Sequence, residues 1–154
     1  MFLTKRSKYA LRALLFLARE QARGTILIQE IAEKEKIPKK FLESILLELK
    51  NNGLLSSRRG KGGGYALEYS PEKISIGSVI RLIDGPIAPV RCVSQSAYAP
   101  CEDCLDEKTC VIRYLMKETR DVIATVLDKT TLQELLQRED ILKAEATEGF
   151  VFEI

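Results

Sequence analysis

The stretch Ile37–Leu67, IPKKFLESILLELKNNGLLSSRRGKGGGYAL, decides the reading of this chain. Pro38 suits the first turn of a helix, where its missing N–H is not needed. Phe41, Leu42, Ile45, Leu46 and Leu49 then recur at helical spacing as a buried stripe, while Lys39, Lys40, Glu43, Ser44 and Lys50 form the polar face. Gly53, following two asparagines, supplies a C-cap. Leu54–Arg58 and Gly64–Tyr69 read as antiparallel strands, with Arg59-Gly60-Lys61-Gly62-Gly63 as the hairpin tip. Arg58, Arg59 and Lys61 bring positive charge, and Gly62 and Gly63 let the backbone approach a surface closely; these are tools for phosphates and the minor groove. A solvated hairpin whose glycines serve only its turn is the alternative, but a candidate recognition helix stands directly before it. A nucleotide-binding phosphate loop is a poor alternative, because Gly60-Lys61 lacks the following Ser or Thr and the strand-to-helix setting.

Upstream, Ala10, Ala13, Leu14, Leu17 and Ala18 share one face of a first helix over residues 7–20, ended by Gly24. Thr25–Leu27 suggests a short strand, and Ile28, Ile31 and Ala32 a second helix that breaks at Lys36-Ile37-Pro38. Two short helices joined by a tight turn and followed by a wing make a winged helix-turn-helix over residues 1–70. Lys5, Arg6 and Lys8 at the start of the first helix are candidate clamps on the DNA backbone, and Lys39, Lys40 and Ser44 are candidates for the major groove. The charge distribution agrees. Residues 1–65 hold 14 Lys and Arg against 6 Asp and Glu, and residues 66–154 hold 10 against 16, so a basic lobe is joined to an acidic one.

With 154 residues, 45% of them hydrophobic, the chain can bury a core, and no stretch approaches a membrane span in length. No secretory leader is expected, since Arg12, Arg19 and Glu20 interrupt the apolar run near the N-terminus. A cytoplasmic protein is therefore expected, with neither a membrane nor a small-molecule substrate as partner. Histidine is absent, which removes Ser-His and Cys-His nucleophile pairs and imidazole ligation. An enzyme is not expected; a cysteine-based redox enzyme is the distant alternative.

Downstream, Ile76, Val79, Ile80 and Ile83 form a short helix that stops at Asp84-Gly85-Pro86. Residues 71–110 then carry a loop without period that contains every cysteine, spaced Cys92-x8-Cys101-x2-Cys104-x5-Cys110. Thiolates at this density suit an iron–sulfur cluster or a zinc ion. Only Cys101 and Cys104 have the knuckle spacing usual for zinc, and a thioredoxin-like pair would need a strand-to-helix setting. Residues 111–154 open with a long helix whose Ile112, Leu115, Thr119, Val122 and Val126 alternate three and four apart. That face is either a dimer interface or packs on its own domain. Thr131 and Glu134 have capping-box spacing for a last helix reaching about Leu142, and the tail Phe150–Ile154 is apolar without an evident role. The expected fold is mainly α with a small β-hairpin wing: a winged helix-turn-helix plus a long dimerisation helix.

The recognition helix and wing quoted above, the opening TKRSKYALRALLFLA, the IGSVIRLIDGP segment and the cysteines just ahead of a long helix together resemble the Rrf2 family of bacterial regulators. The resemblance covers roughly residues 1–130. It implies a homodimeric winged-helix repressor or activator on a partly palindromic double-stranded DNA operator, with long helices crossing between subunits. It also implies an iron–sulfur cluster, [2Fe–2S] or [4Fe–4S], with Cys92, Cys104 and Cys110 as ligands and Cys101 as substitute or fourth ligand. Cys104-x5-Cys110 matches the spacing of many cluster-binding relatives, whereas the first interval is longer. The histidine that completes the cluster in one branch is missing, and Lys8 stands where some relatives offer a carboxylate. Other relatives bind no cluster, so thiol-redox or zinc-based sensing stays open.

Overall fold

A computed structural model describes residues 3–151. Its order is α1 (Lys5–Arg19), α2 (Ile28–Glu35), α3 (Lys39–Asn51), β1 (Leu55–Arg58), β2 (Gly64–Leu67), α4 (Ile76–Asp84), α5 (Val111–Lys129) and α6 (Leu132–Val151). The α1 helix begins earlier than its apolar period suggests because Thr4 caps it, its hydroxyl accepting from Ser7 N–H at 3.1 Å. Lys36 closes α2 in the left-handed conformation, and Pro38 stands as the N-cap of α3, one position before its first turn. In the wing, β1 and β2 pair antiparallel from Leu55 opposite Leu67 to Arg58 opposite Gly64. The expected strand at Thr25–Leu27 is reduced to one bridge, in which Ile26 and Tyr65 exchange both backbone hydrogen bonds at 2.8 Å.

The core centres on α1. Ala10, Ala13, Leu14 and Leu17 meet Leu42, Ile45, Leu46 and Leu49 of α3 and Ile76, Val79 and Ile80 of α4. Phe41 does not join the stripe: it is 60% exposed, a correction to the sequence reading. At 100° per residue it lies at the edge of the face set by Leu42, Ile45, Leu46 and Leu49, and it turns to solvent with Leu47. The C-terminal segment returns to this core. Leu132 is fully buried in it, and its N–H bonds the Ile74 carbonyl at 3.0 Å. The capping box at the start of α6 is reciprocal, with Thr131 N–H donating to Glu134 at 3.1 Å and Glu134 N–H to the Thr131 hydroxyl at 3.2 Å. The last helix runs past the expected Leu142 to Val151, and Phe152–Ile154 of the apolar tail lie outside the described residues.

Ion pairs fix the layers around α1. Arg19 reaches Glu35 of α2 at 2.8 Å and Glu139 of α6 at 2.7 Å. Arg81 of α4 grips Asp128 of α5, with Nη2 to Oδ2 at 3.0 Å. Gly77 presses against that same carboxylate, where a Cβ would overlap it. By contrast, α5 has no buried residue along its 19 residues. Ile112, Leu115, Val122 and Val126 are each more than half exposed.

Candidate nucleic-acid interface and cysteine pocket

The basic residues of the wing and of the α3 start face solvent. Lys39 and Lys40 open α3; Arg58, Arg59 and Lys61 line the hairpin; Lys5 and Lys8 lie exposed on the first turns of α1. Arg6 and Ser44 are engaged with each other. The Arg6 guanidinium donates to Ser44 Oγ at 2.9 Å and pairs with Glu48, and the Ser44 hydroxyl donates to the Phe41 carbonyl at 3.0 Å. No periodicity signals this, because the partners are 38 and 42 residues apart.

The glycines divide into two kinds. Gly60 and Gly62 have φ of +88° and +78° with open space around them, so they shape the tip and leave its backbone free to approach a surface. Gly63 is buried: a Cβ there would overlap the Arg58 carbonyl and come within 2.9 Å of the Gly60 carbonyl. Gly64, at φ +135°, seats β2 against Ile26. Gly63 is thus held by its own chain, not opened toward a ligand.

All four cysteines line one pocket of about 400 Å³, together with Val90, Leu105, Val111, Ile112 and Arg113. None is in a disulfide; Cys92 is buried, Cys110 half-buried, Cys101 and Cys104 exposed. Cys110 is also the N-cap of α5, its sulfur accepting from Arg113 N–H at 3.4 Å. Arg113 Nε donates to the Cys92 carbonyl at 3.3 Å and Arg120 Nη1 to the Val93 carbonyl at 2.6 Å, so two arginines of α5 hold the loop. A hydrogen bond to the Cys92 thiol, then its charge, pushes the Cys101 thiol up from its ordinary value. Loss of hydration, then the charges of Glu107 and Cys110, pushes Cys104 up. Both environments favour the neutral thiol over the thiolate.

The pocket offers the four sulfurs together with the carboxylates of Asp103 and Asp106, on a wall that is mostly apolar. Among the described residues no three His, Cys, Asp or Glu side chains are grouped closely enough to hold a metal ion. Of the four predicted ligands, the pocket brings all together.

A helix-turn-helix with a basic wing, joined to a cysteine pocket, defines a DNA-binding regulator rather than an enzyme. The comparisons give the family: residues 3–138 match the profile of the Rrf2 family, described as an iron-dependent transcriptional regulator, and the chain belongs to that family. It is 46% identical over 137 residues to an rrf2-like HTH-type transcriptional regulator of Rhodobacter capsulatus, covering 87% of this chain and 91% of that one. It is 32% identical over 143 residues to the HTH-type transcriptional regulator IscR of Yersinia pseudotuberculosis, covering 93% of this chain and 84% of that one. Among solved structures it is similar to CymR, the global cysteine regulator of B. subtilis, with a TM-score of 0.75 and 32% identity over 90% of this chain and 98% of that one. Among the described residues no helix is long and apolar enough to cross a membrane.

Proposed function

We propose that this regulator works as a homodimer on a partly palindromic operator and reports iron–sulfur, redox or nitrosative status through a cluster held by Cys92, Cys104 and Cys110, with Cys101 as fourth ligand or substitute. The observation that carries this reading is the convergence of all four thiols on one apolar-walled pocket at the N-terminus of α5. When bound, the cluster supplies iron–sulfur bonds that oxidants and nitric oxide attack. The chain supplies the coupling. Arg113 and Arg120 tie the loop to α5, and Arg81 with Asp128 ties α5 to α4, so a change in loop geometry shifts the balance between two arrangements of the DNA-binding half. A second copy covers the apolar side of α5, as expected for a protein that reads two half-sites. Lys39, Lys40 and Ser44 face the major groove, Arg58, Arg59, Lys61 and Gly62 follow the minor groove or phosphates while the buried Gly63 only shapes the tip behind them, and Lys5 and Lys8 hold backbone.

The placing of the free Cys92 and Cys101 thiols in one pocket favours a second reading, cluster-free sensing by thiol oxidation. Anaerobic purification separates the two. Brown protein with matched iron and sulfide is the expected result; colourless protein with one zinc, or with no metal, overturns cluster sensing.

A further inference from the structure

The first turn of α1 is gripped from two sides. On one side Asp84, the last residue of α4, accepts from Thr4 N–H at 3.1 Å and from the Thr4 hydroxyl. The Ser7 hydroxyl, buried and without a well-formed bond, faces the same carboxylate. On the other side, two residues along, Arg6 holds Ser44 and Glu48 of α3. The end of α4 and the middle of the recognition helix, far apart in sequence, are thereby joined through a single helical turn. Arg6 also cancels the Glu48 charge on a helix that must approach a polyanion. Asp84 offers nothing to DNA and carries the wrong sign for it.

We propose that Thr4, Arg6 and Asp84 form a clasp that sets the position of α3 for base reading, with Arg6 and Asp84 as positioning residues and not DNA ligands. Phosphate contacts tolerate small shifts of a helix, whereas hydrogen bonds to base edges do not. Loosening the clasp therefore costs sequence discrimination more than general affinity. Because Arg81 and Asp128 bind α4 to α5, the clasp is also the point at which any displacement of α5 reaches α3. This holds whatever the cysteines bind.

The test uses the full chain and two duplexes of equal length, one selected by the wild-type protein from a randomised library and one of random sequence. Binding is followed by fluorescence anisotropy, at a temperature below every variant's melting point. Thr4→Val and Asp84→Asn should each weaken the selected duplex about tenfold and the random one less than about twofold, and Thr4→Ser should retain wild-type discrimination. In the Asp84→Asn/Arg6→Gln double variant the ratio between duplexes should be no worse than in the poorer single variant, because both break one device. Equal weakening of both duplexes, or losses of discrimination that multiply, would overturn the proposal. Thr4→Val keeps the backbone donor and the side-chain volume, so it remains informative if Asp84→Asn folds poorly.

Discussion

Replacing Gly64 with alanine isolates what the wing's attachment contributes. A Cβ at this position would overlap the Ile26 carbonyl and come within 2.8 Å of Leu27 N, both backbone atoms that cannot rotate away. Relief requires parting β2 from residue 26, which sacrifices the two 2.8 Å hydrogen bonds between Ile26 and Tyr65. At about 1 kcal/mol each, plus about 1–2 kcal/mol for holding a side chain at positive φ, the loss is about 3–4 kcal/mol. A domain of this size loses about 2–4 °C of melting temperature per kcal/mol, so the midpoint should fall by on the order of 10 °C. Gly62→Ala is the matched comparison: φ is +78° but nothing lies within 4 Å, so only the backbone strain applies. Its midpoint should fall by roughly 2–8 °C, about half the Gly64→Ala loss. Circular dichroism melts of both variants at neutral pH decide the matter. Equal midpoints for the two variants would refute the claim that Gly64 is required by packing and not merely by the turn.

The basic wing predicts a salt-dependent affinity for DNA, and Arg59→Gln should reduce the slope of log affinity against log salt by about 1 for each subunit's lost contact. An unchanged slope would remove Arg59 from the phosphate-contact set. Val122→Glu, on the uncovered side of α5, should convert the proposed dimer to monomer in sedimentation velocity; a dimer that persists places the interface elsewhere. The acid limb of stability is also defined. Partial burial pushes the Asp84 carboxyl up, but its two bonds from Thr4, with the Ser7 hydroxyl facing it, more than offset this and hold it below its ordinary value, and the Arg81 guanidinium holds Asp128 down. A depressed carboxylate contributes stability above its unfolded pKa and loses it as pH falls through the folded value. The melting point should therefore drop on acidification below about pH 4, less steeply in Asp128→Asn than in wild type. An identical drop in both proteins would exclude that pair as a contributor.

The helices and wing were legible because each is a local pattern. The stripe Leu42, Ile45, Leu46 and Leu49 needs only the helical period, and the Thr131–Glu134 capping box needs only a spacing of three. Phe41 was misplaced because period gives the centre of a buried face but not its width; width depends on how closely α1 packs. The cysteine cluster was legible as composition, but its meeting in one pocket required the turn at Arg91–Val93 and the arginines of α5. Arg6 looked like any basic residue beside DNA, since its partners Ser44 and Glu48 belong to another helix. The roles of Gly63 and Gly64 were hidden for the same reason: their obstacles are carbonyls of Arg58 and Ile26, and a run of glycines reads alike whether it faces outward or inward.

The burial of Leu132 beneath Ile74 has a consequence for synthesis on the ribosome. One part of the winged-helix core, Leu132, arrives more than fifty residues after the wing, once the whole cysteine loop and α5 have been translated. A chain that ends before Leu132 leaves that part of the core uncovered, so it should melt lower and be cut faster by protease than the full chain. The order of the chain places the last wall of the DNA-binding half after the cysteine loop, so that half is completed only once the loop has been made.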